Sequence, residues 1–207
     1  MLEEKEICKF WEKRATKYGL RTVGNTGESY KRYLKVCKKR RKLVFSHCSR
    51  SLRTLDFGCG LGSYAKCFES YLGVDINRYV LSYARKFQPK KKFILLKQPF
   101  LSDKSNKAIF LFQPELFFTV TVLQHNSDAL VKKILKGVAQ ISQNIMFSLY
   151  ENSEAPSFNL RARTPEDYVN LLSRSFKILT FKSFSHYTYG EKHNLILVKA
   201  KSLLELR

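Results

Sequence analysis

The 207-residue chain carries only 17 acidic residues against 38 basic ones, has no Cys-x-x-Cys pair, and contains no apolar run of membrane-spanning length. Each shortage excludes something. A helix that crosses a bilayer needs roughly 18 or more consecutive apolar residues, so membrane insertion is not expected. Five cysteines, an odd number without paired spacing, argue against a disulfide framework and against a zinc knuckle. The opening MLEEKEICKF lacks the apolar core of a secretory signal. The expectation is a reduced, cytoplasmic protein. His47, His125, His186 and His193 share no spacing, so no metal site is assigned. Length, 44% apolar content and 27% charged content are those of a globular chain of one domain or one domain with an appendage.

The scarcity of acid leaves a net charge of +21. Such a surface attracts polyanions, nucleic acid above all, through counterion release. The alternative is compositional bias, since 25 of the 38 basic residues are lysine. Charge clusters in residues 1–50, which read as a helical cap. Ile7, Phe10, Trp11, Arg14 and Tyr18 fall at helical spacing before Gly19, and Thr22–Gly27 reads as loop. A second helix over 28–44 presents Tyr30, Leu34, Cys37 and Val44 on one face. The run Lys38–Lys42 is then expected on its solvated side, or as a phosphate-contact patch.

From Ser51 to the end, short apolar runs alternate with amphipathic stretches, the pattern of an α/β domain with a mostly parallel sheet. Strands are expected at 52–57, 71–76, 92–96, 116–123 and 144–149. Helices are expected near 63–70, over 77–87, after Asn126 or Ser127, and after Thr164-Pro165. A closing antiparallel hairpin turns around Gly190.

The informative stretch is Leu55-Asp56-Phe57-Gly58-Cys59-Gly60-Leu61-Gly62, followed by Leu72-Gly73-Val74-Asp75-Ile76. Glycines at alternate positions admit a ligand against bare amides. An acid at the tip of the second strand suits the two hydroxyls of a ribose. A dinucleotide fingerprint would need glycine at 63, where this chain has serine, and no Gly-Lys-Ser/Thr of a P-loop follows. Asp56, two residues before the first glycine, would repel a pyrophosphate and suit an amino group. These details favour S-adenosylmethionine over NAD or a nucleoside triphosphate.

With F-T-V-T-V-L-Q-H at 118–125, these motifs resemble a class I S-adenosylmethionine-dependent methyltransferase. The opening F-W-E-K-R-A-T-K-Y-G-L-R-T-V-G resembles the helical cap of small members. The resemblance implies a three-layer Rossmann-like sandwich whose seven-stranded, mostly parallel sheet has one antiparallel strand, with a cap over 1–50 and a core over 51–207. It places Asp56, Gly58, Cys59 and Gly60 at the methionine end of the cofactor, Asp75 on the ribose and Ile76 on the adenine. Gln98 stands where many members have an Asp toward the adenine amino group, and Thr119 and Val120 fall under the sulfonium. Cys59 reads as a packed small residue rather than a nucleophile.

His125 either caps and fills or faces the methyl group as a general base. Tyr150, Glu151, Arg161 and Arg163 are candidate substrate residues, the arginines as an anion clamp or as solvated loop. No N-P-P-Y or D-P-P-Y tetrad and no Pro-Cys pair is present. The expected acceptor is therefore an O or N atom of a small or medium, anionic molecule. RNA or DNA is the alternative on charge, and a non-catalytic binding protein the second alternative. Oligomeric state is not legible.

Overall fold

The computed structural model describes residues 4–23, 29–101, 107–152, 160–188 and 191–205. Two helices lead. α1 (Glu4–Tyr18) stops where Gly19 takes φ +54°, a left-handed value that glycine adopts without steric cost, and passes into a 3₁₀ turn over Gly19–Val23. α2 (Tyr30–Phe45) starts at Ser29, whose hydroxyl accepts the Arg32 N–H at 3.2 Å. Thr22 and Val23, expected to open a loop over Thr22–Gly27, belong to the 3₁₀ turn over Gly19–Val23, and the rest of the expected loop and the turn at Gly190 lie outside the described residues.

The rest of the chain runs β1 (Thr54–Phe57), β2 (Tyr71–Asp75), α3 (Arg78–Phe87), β3 (Lys92–Leu95), α4 (Lys107–Phe112), β4 (Leu116–Val120), α5 (Asp128–Ile141), β5 (Asn144–Asn152), α6 (Pro165–Leu172), β6 (Phe176–Thr188) and β7 (Glu191–Ser202). The seven strands form one sheet in the order β3-β2-β1-β4-β5-β7-β6. β7 is antiparallel to both of its neighbours, and the other pairings are parallel. Neighbouring residues of β4 serve opposite faces. Phe117 joins a core with Leu130, Ile134 and Val138 of α5 and Tyr168 and Leu172 of α6. Leu116 and Phe118 join a second core with Phe68, Tyr71, Leu81 and Val44 of α2. Strand order reverses between β1 and β4. At such a switch point the crossovers leave for opposite faces and open a crevice at the carboxyl ends of the strands.

Two elements differ from expectation. The helix expected near 63–70 is absent, and the connection from β1 to β2 carries only a 3₁₀ turn at Ala65–Cys67. Its amides reach back three residues, Gly62 to Cys59, Ala65 to Gly62 and Cys67 to Tyr64. Tyr64, Ala65, Cys67 and Phe68 are buried against the second core, and within 63–70 only Lys66 and Glu69 are exposed. Conversely α4, six residues long, was not expected, and it exposes Phe110 and Leu111.

Candidate functional site

The crevice holds a cavity of ≈ 460 Å³ bounded by the ends of β1, β2 and β4 and by both leading helices, a size within the range of small-molecule sites. Its floor is the glycine turn. Gly58, Gly60 and Gly62 have φ of +72°, +53° and +69°. A Cβ at Gly58 would lie 2.5 Å from Cγ2 of Val122, so glycine is required there for space as well as for conformation. The Gly58 and Cys59 amides donate to the Val74 carbonyl at 2.8 and 3.0 Å, which binds the turn to β2.

Two carboxylates face this turn. Asp75, ending β2, accepts the Gly60 N–H at 2.9 Å on one oxygen and the Asn77 N–H at 2.8 Å on the other. Asn77 in turn caps α3 through the Tyr79 and Val80 amides and donates to the Trp11 carbonyl at 2.8 Å, fastening α1 over the cavity. Asp56 is buried and accepts the Tyr71 hydroxyl at 2.7 Å. Burial pushes Asp56 up to about 7; the Tyr71 bond opposes the rise and the Asp75 charge adds to it. Asp75 is also raised by burial, against its amide bonds. The Cys59 thiol is held far above its ordinary range by burial and then by Asp56 and Asp75, so it stays protonated and unreactive.

Asp56, Gly58, Cys59, Gly60, Asp75, Ile76, Val120 and His125 thus surround one space. His125 ends a 3₁₀ turn (Leu123–His125) after β4, half-buried, with its ring edge-on to Trp11 at 5.2 Å. The other expected residues stand elsewhere. Gln98 is exposed and off the cavity, and Leu96 and Pro99 form that wall instead. Thr119 is fully buried away from the cavity, because the strand alternation that turns Val120 inward turns its neighbour to the opposite face.

None of the four candidate substrate residues lines the cavity. Glu151 is buried, and its carboxylate accepts the amides of Val122, Leu123 and Gln124 at 3.3, 3.1 and 3.1 Å. Burial pushes it up to about 7 against those bonds. It pins the turn that presents His125. Arg163 is also buried. It donates to the Leu123 and Asn126 carbonyls at 2.9 and 2.6 Å and to Asp128 at 2.8 Å, so its donors hold the same turn rather than a ligand. Arg161 is exposed, 3.6 Å from Asp128. Tyr150 is fully buried beneath Arg40, whose guanidinium carbon lies 4.8 Å from the ring centre.

Arg40 is the cavity residue that sequence reasoning misplaced. Within the run 38–42, Lys38, Lys39 and Lys42 are exposed, whereas Arg40 is 7% exposed and lines the cavity. The buried face of α2 is Tyr33, Cys37, Arg40 and Val44, and Leu34 is exposed. The i, i+4, i+7, i+11 spacing of those residues was the available signal. Trp11 is half-buried and lines the cavity with Ile7, Phe10 and Arg14.

No protein-family model matches the chain, and no curated protein does. Solved structures do match. Magnesium protoporphyrin IX methyltransferase from Synechocystis PCC 6803 with bound SAH superposes with a TM-score of 0.65 at 14% identity, over 93% of this chain and 97% of that one. A TehB-like SAM-dependent methyltransferase from Corynebacterium glutamicum gives 0.57 at 15% identity, over 93% and 99%. A SAM-dependent methyltransferase from Methanosarcina mazei gives 0.56 at 15%, over 77% and 97%. Strand order, the single antiparallel strand and these superpositions agree: the chain has the class I S-adenosylmethionine-dependent methyltransferase fold.

Proposed function

We infer that the protein is an S-adenosylmethionine-dependent methyltransferase acting on an O or N atom of a small or medium, anionic acceptor in the cytoplasm. The observation that carries this reading is the pairing of a left-handed glycine turn with two enclosed acids, Asp56 and Asp75, around one cavity of cofactor size. The donor set fits the cofactor. Asp75 offers two carboxylate oxygens to the ribose hydroxyls, Ile76, Leu96 and Pro99 offer apolar walls to the base, and Asp56 offers a negative charge to the ammonium group.

Bound there, the cofactor supplies a methyl group already activated by its sulfonium. The chain's own residues have three tasks. The glycine turn and the two acids orient the donor. Ile7, Phe10 and Trp11 of α1 cover the cavity and exclude water. His125, presented by the turn that Glu151 and Arg163 hold, accepts the proton that an O or N acceptor loses.

A second reading, nucleic-acid methylation, is favoured by the outer face of α2. Lys31, Arg32, Lys35 and Lys39 line a depression there with Tyr187. One experiment tests both readings: methyl-labelled donor incubated with total RNA, DNA, protein and a small-molecule extract. Label in the extract supports the first reading, and label in RNA or DNA favours the second. Silence in all four fractions, with cofactor binding confirmed by calorimetry, would leave a binding protein.

A further inference from the structure

The surplus charge is spread unevenly over the fold. α2 and α3 pack on the same side of the sheet, since Val44 of α2 and Leu81 and Ala84 of α3 share the second core. α2 holds eight basic residues and α3 three, and neither holds an acid. On the other side, α1, α4, α5 and α6 contribute Ile7, Ile109, Leu130 and Tyr168 to the first core and together carry nine bases against six acids. A compositional bias toward lysine acts on the whole chain. It does not clear the acids from the helices of one layer and leave them in the other. Between α2 and α3, over residues 46–77, Glu69 is the only exposed acid.

The lysines of α2 and α3 are all exposed, and none of them is in an ion pair among the described residues. Acids one turn away would offset the repulsion between neighbouring lysines on a helix, and α2 has none. Lys31, Lys35 and Lys39 follow one another about 6 Å apart along the helix axis. They line a depression with Tyr187 of β6, which is 65% exposed.

α3 adds a second feature of a different kind. Tyr79, Tyr83 and Phe87 form a ladder along the helix, with ring centres 5.1 and 5.9 Å apart. Tyr79 and Phe87 are each 40% exposed. The buried face of α3 is supplied by Val80, Leu81 and Ala84, so the ladder stands beside the core rather than in it. Exposed Arg78 and Lys86 flank it on the same helix, and Lys90 follows. Open aromatic rings beside cations accept the flat faces of bases while the cations meet the phosphates. A duplex hides those faces in its own stack, whereas the unpaired stretches of RNA present them.

We propose that the α2–α3 layer is a docking face for single-stranded RNA, the lysines of α2 pairing with phosphates and the ladder of α3 stacking bases. The inference goes beyond the methyl-transfer reading and does not depend on it, because the face binds RNA whether the RNA accepts the methyl group or only holds the protein.

The test is fluorescence anisotropy with a labelled, mixed-sequence single-stranded RNA, titrated without cofactor across a salt series. Wild type should bind it more tightly than the corresponding RNA duplex, and at least as tightly as single-stranded DNA of the same sequence. Lys31→Gln, Lys35→Gln and Lys39→Gln together should flatten the plot of log affinity against log salt by about two, at roughly 0.7 per phosphate contact. Tyr79→Ala with Phe87→Ala should weaken the RNA about five-fold or more at unchanged slope. Lys107→Gln, Lys132→Gln and Lys136→Gln remove the same charge from the opposite layer and should leave affinity and slope as in wild type. All the substituted side chains are exposed, and melting temperatures equal to wild type separate lost binding from lost fold.

Equal losses from the two lysine triples would overturn the face and leave only net charge. Tighter binding of the duplex or of the DNA, or a ladder variant that binds as wild type does, would overturn the assignment to single-stranded RNA. Binding to mixed phosphatidylcholine and phosphatidylserine vesicles without binding to RNA would overturn it in favour of a membrane surface.

Discussion

Asp56 should make cofactor binding release a proton. In the free protein its carboxyl is pushed up to about 7 by burial, with Tyr71 donating to it and Asp75 adding repulsion. The Tyr71 hydroxyl and Cys59 thiol beside it are both held protonated, so neither exchanges protons near neutrality. An ammonium group placed by Asp56 stabilises the ionised carboxylate and restores its ordinary acidity. A group with a value near 7 is roughly nine-tenths protonated at pH 6 and half protonated at pH 7. S-adenosylhomocysteine should therefore release about 0.9 proton per molecule at pH 6 and about 0.5 at pH 7, with affinity rising about five-fold between them. Asp75, raised in the same direction, adds to the release where the ribose takes it as the ionised carboxylate. Glu151, also raised to about 7, lies off the cavity and does not contribute. Calorimetry in two buffers of different ionisation enthalpy measures the number directly. Asp56→Asn keeps an acceptor for Tyr71 and removes the titration, so its release should fall to the Asp75 share and its affinity should drop. Proton uptake by wild type, no exchange at pH 6, or Asp56→Asn binding as tightly as wild type at pH 7 would refute the reasoning.

Because Asp56 and Glu151 both titrate above their unfolded values, the folded protein holds more protons than the unfolded chain between about pH 4 and 7. The stability they confer is fully present below that window and lost as pH rises through 7, so ligand-free protein should melt higher at pH 5.5 than at 7.5. Asp75→Asn should weaken S-adenosylhomocysteine by about 1–3 kcal/mol, the loss of a charged acceptor, and unchanged affinity in calorimetry would remove Asp75 from the ribose. Gly58→Ala should cost about 2–4 kcal/mol in urea unfolding, from the left-handed backbone and the contact with Val122, and adding Val122→Ala should recover only the contact share. Arg163→Ala should lose about 2–4 kcal/mol of stability, since it strips the Leu123 and Asn126 carbonyls and Asp128 of their donor. An unchanged urea midpoint with lost turnover would return Arg163 to the substrate.

Local chemistry was legible without coordinates. Glycine at 58, 60 and 62 marks left-handed backbone because no other residue takes it so cheaply, and all three do take it. Thr164-Pro165 with Asp167 marks a helix start, and the reciprocal bonds of Thr164 and Asp167 form there at 2.8 and 3.2 Å. The closing pair of long strands is antiparallel, as its alternation and turn suggested. The absent helix after the glycine turn was not legible, because its sequence differs from a short helix only in how much of it the surrounding core buries.

By itself, then, the sequence determined the β/α alternation, the glycine turn and the acid just before it, Asp56, since each depends on residues within one or two turns of chain, whereas Asp75 reaches the turn through the pairing of β1 with β2. Tertiary structure alone decided which charged groups face a ligand. Glu151 takes its amides from 27 to 29 residues away, and Arg163 its carbonyls from 37 and 40. Arg40 meets Tyr150 across the sheet's second core. A charge turns inward or outward according to the partners that distant strands bring to it, and the energy of burying it is set by them rather than by its neighbours in sequence.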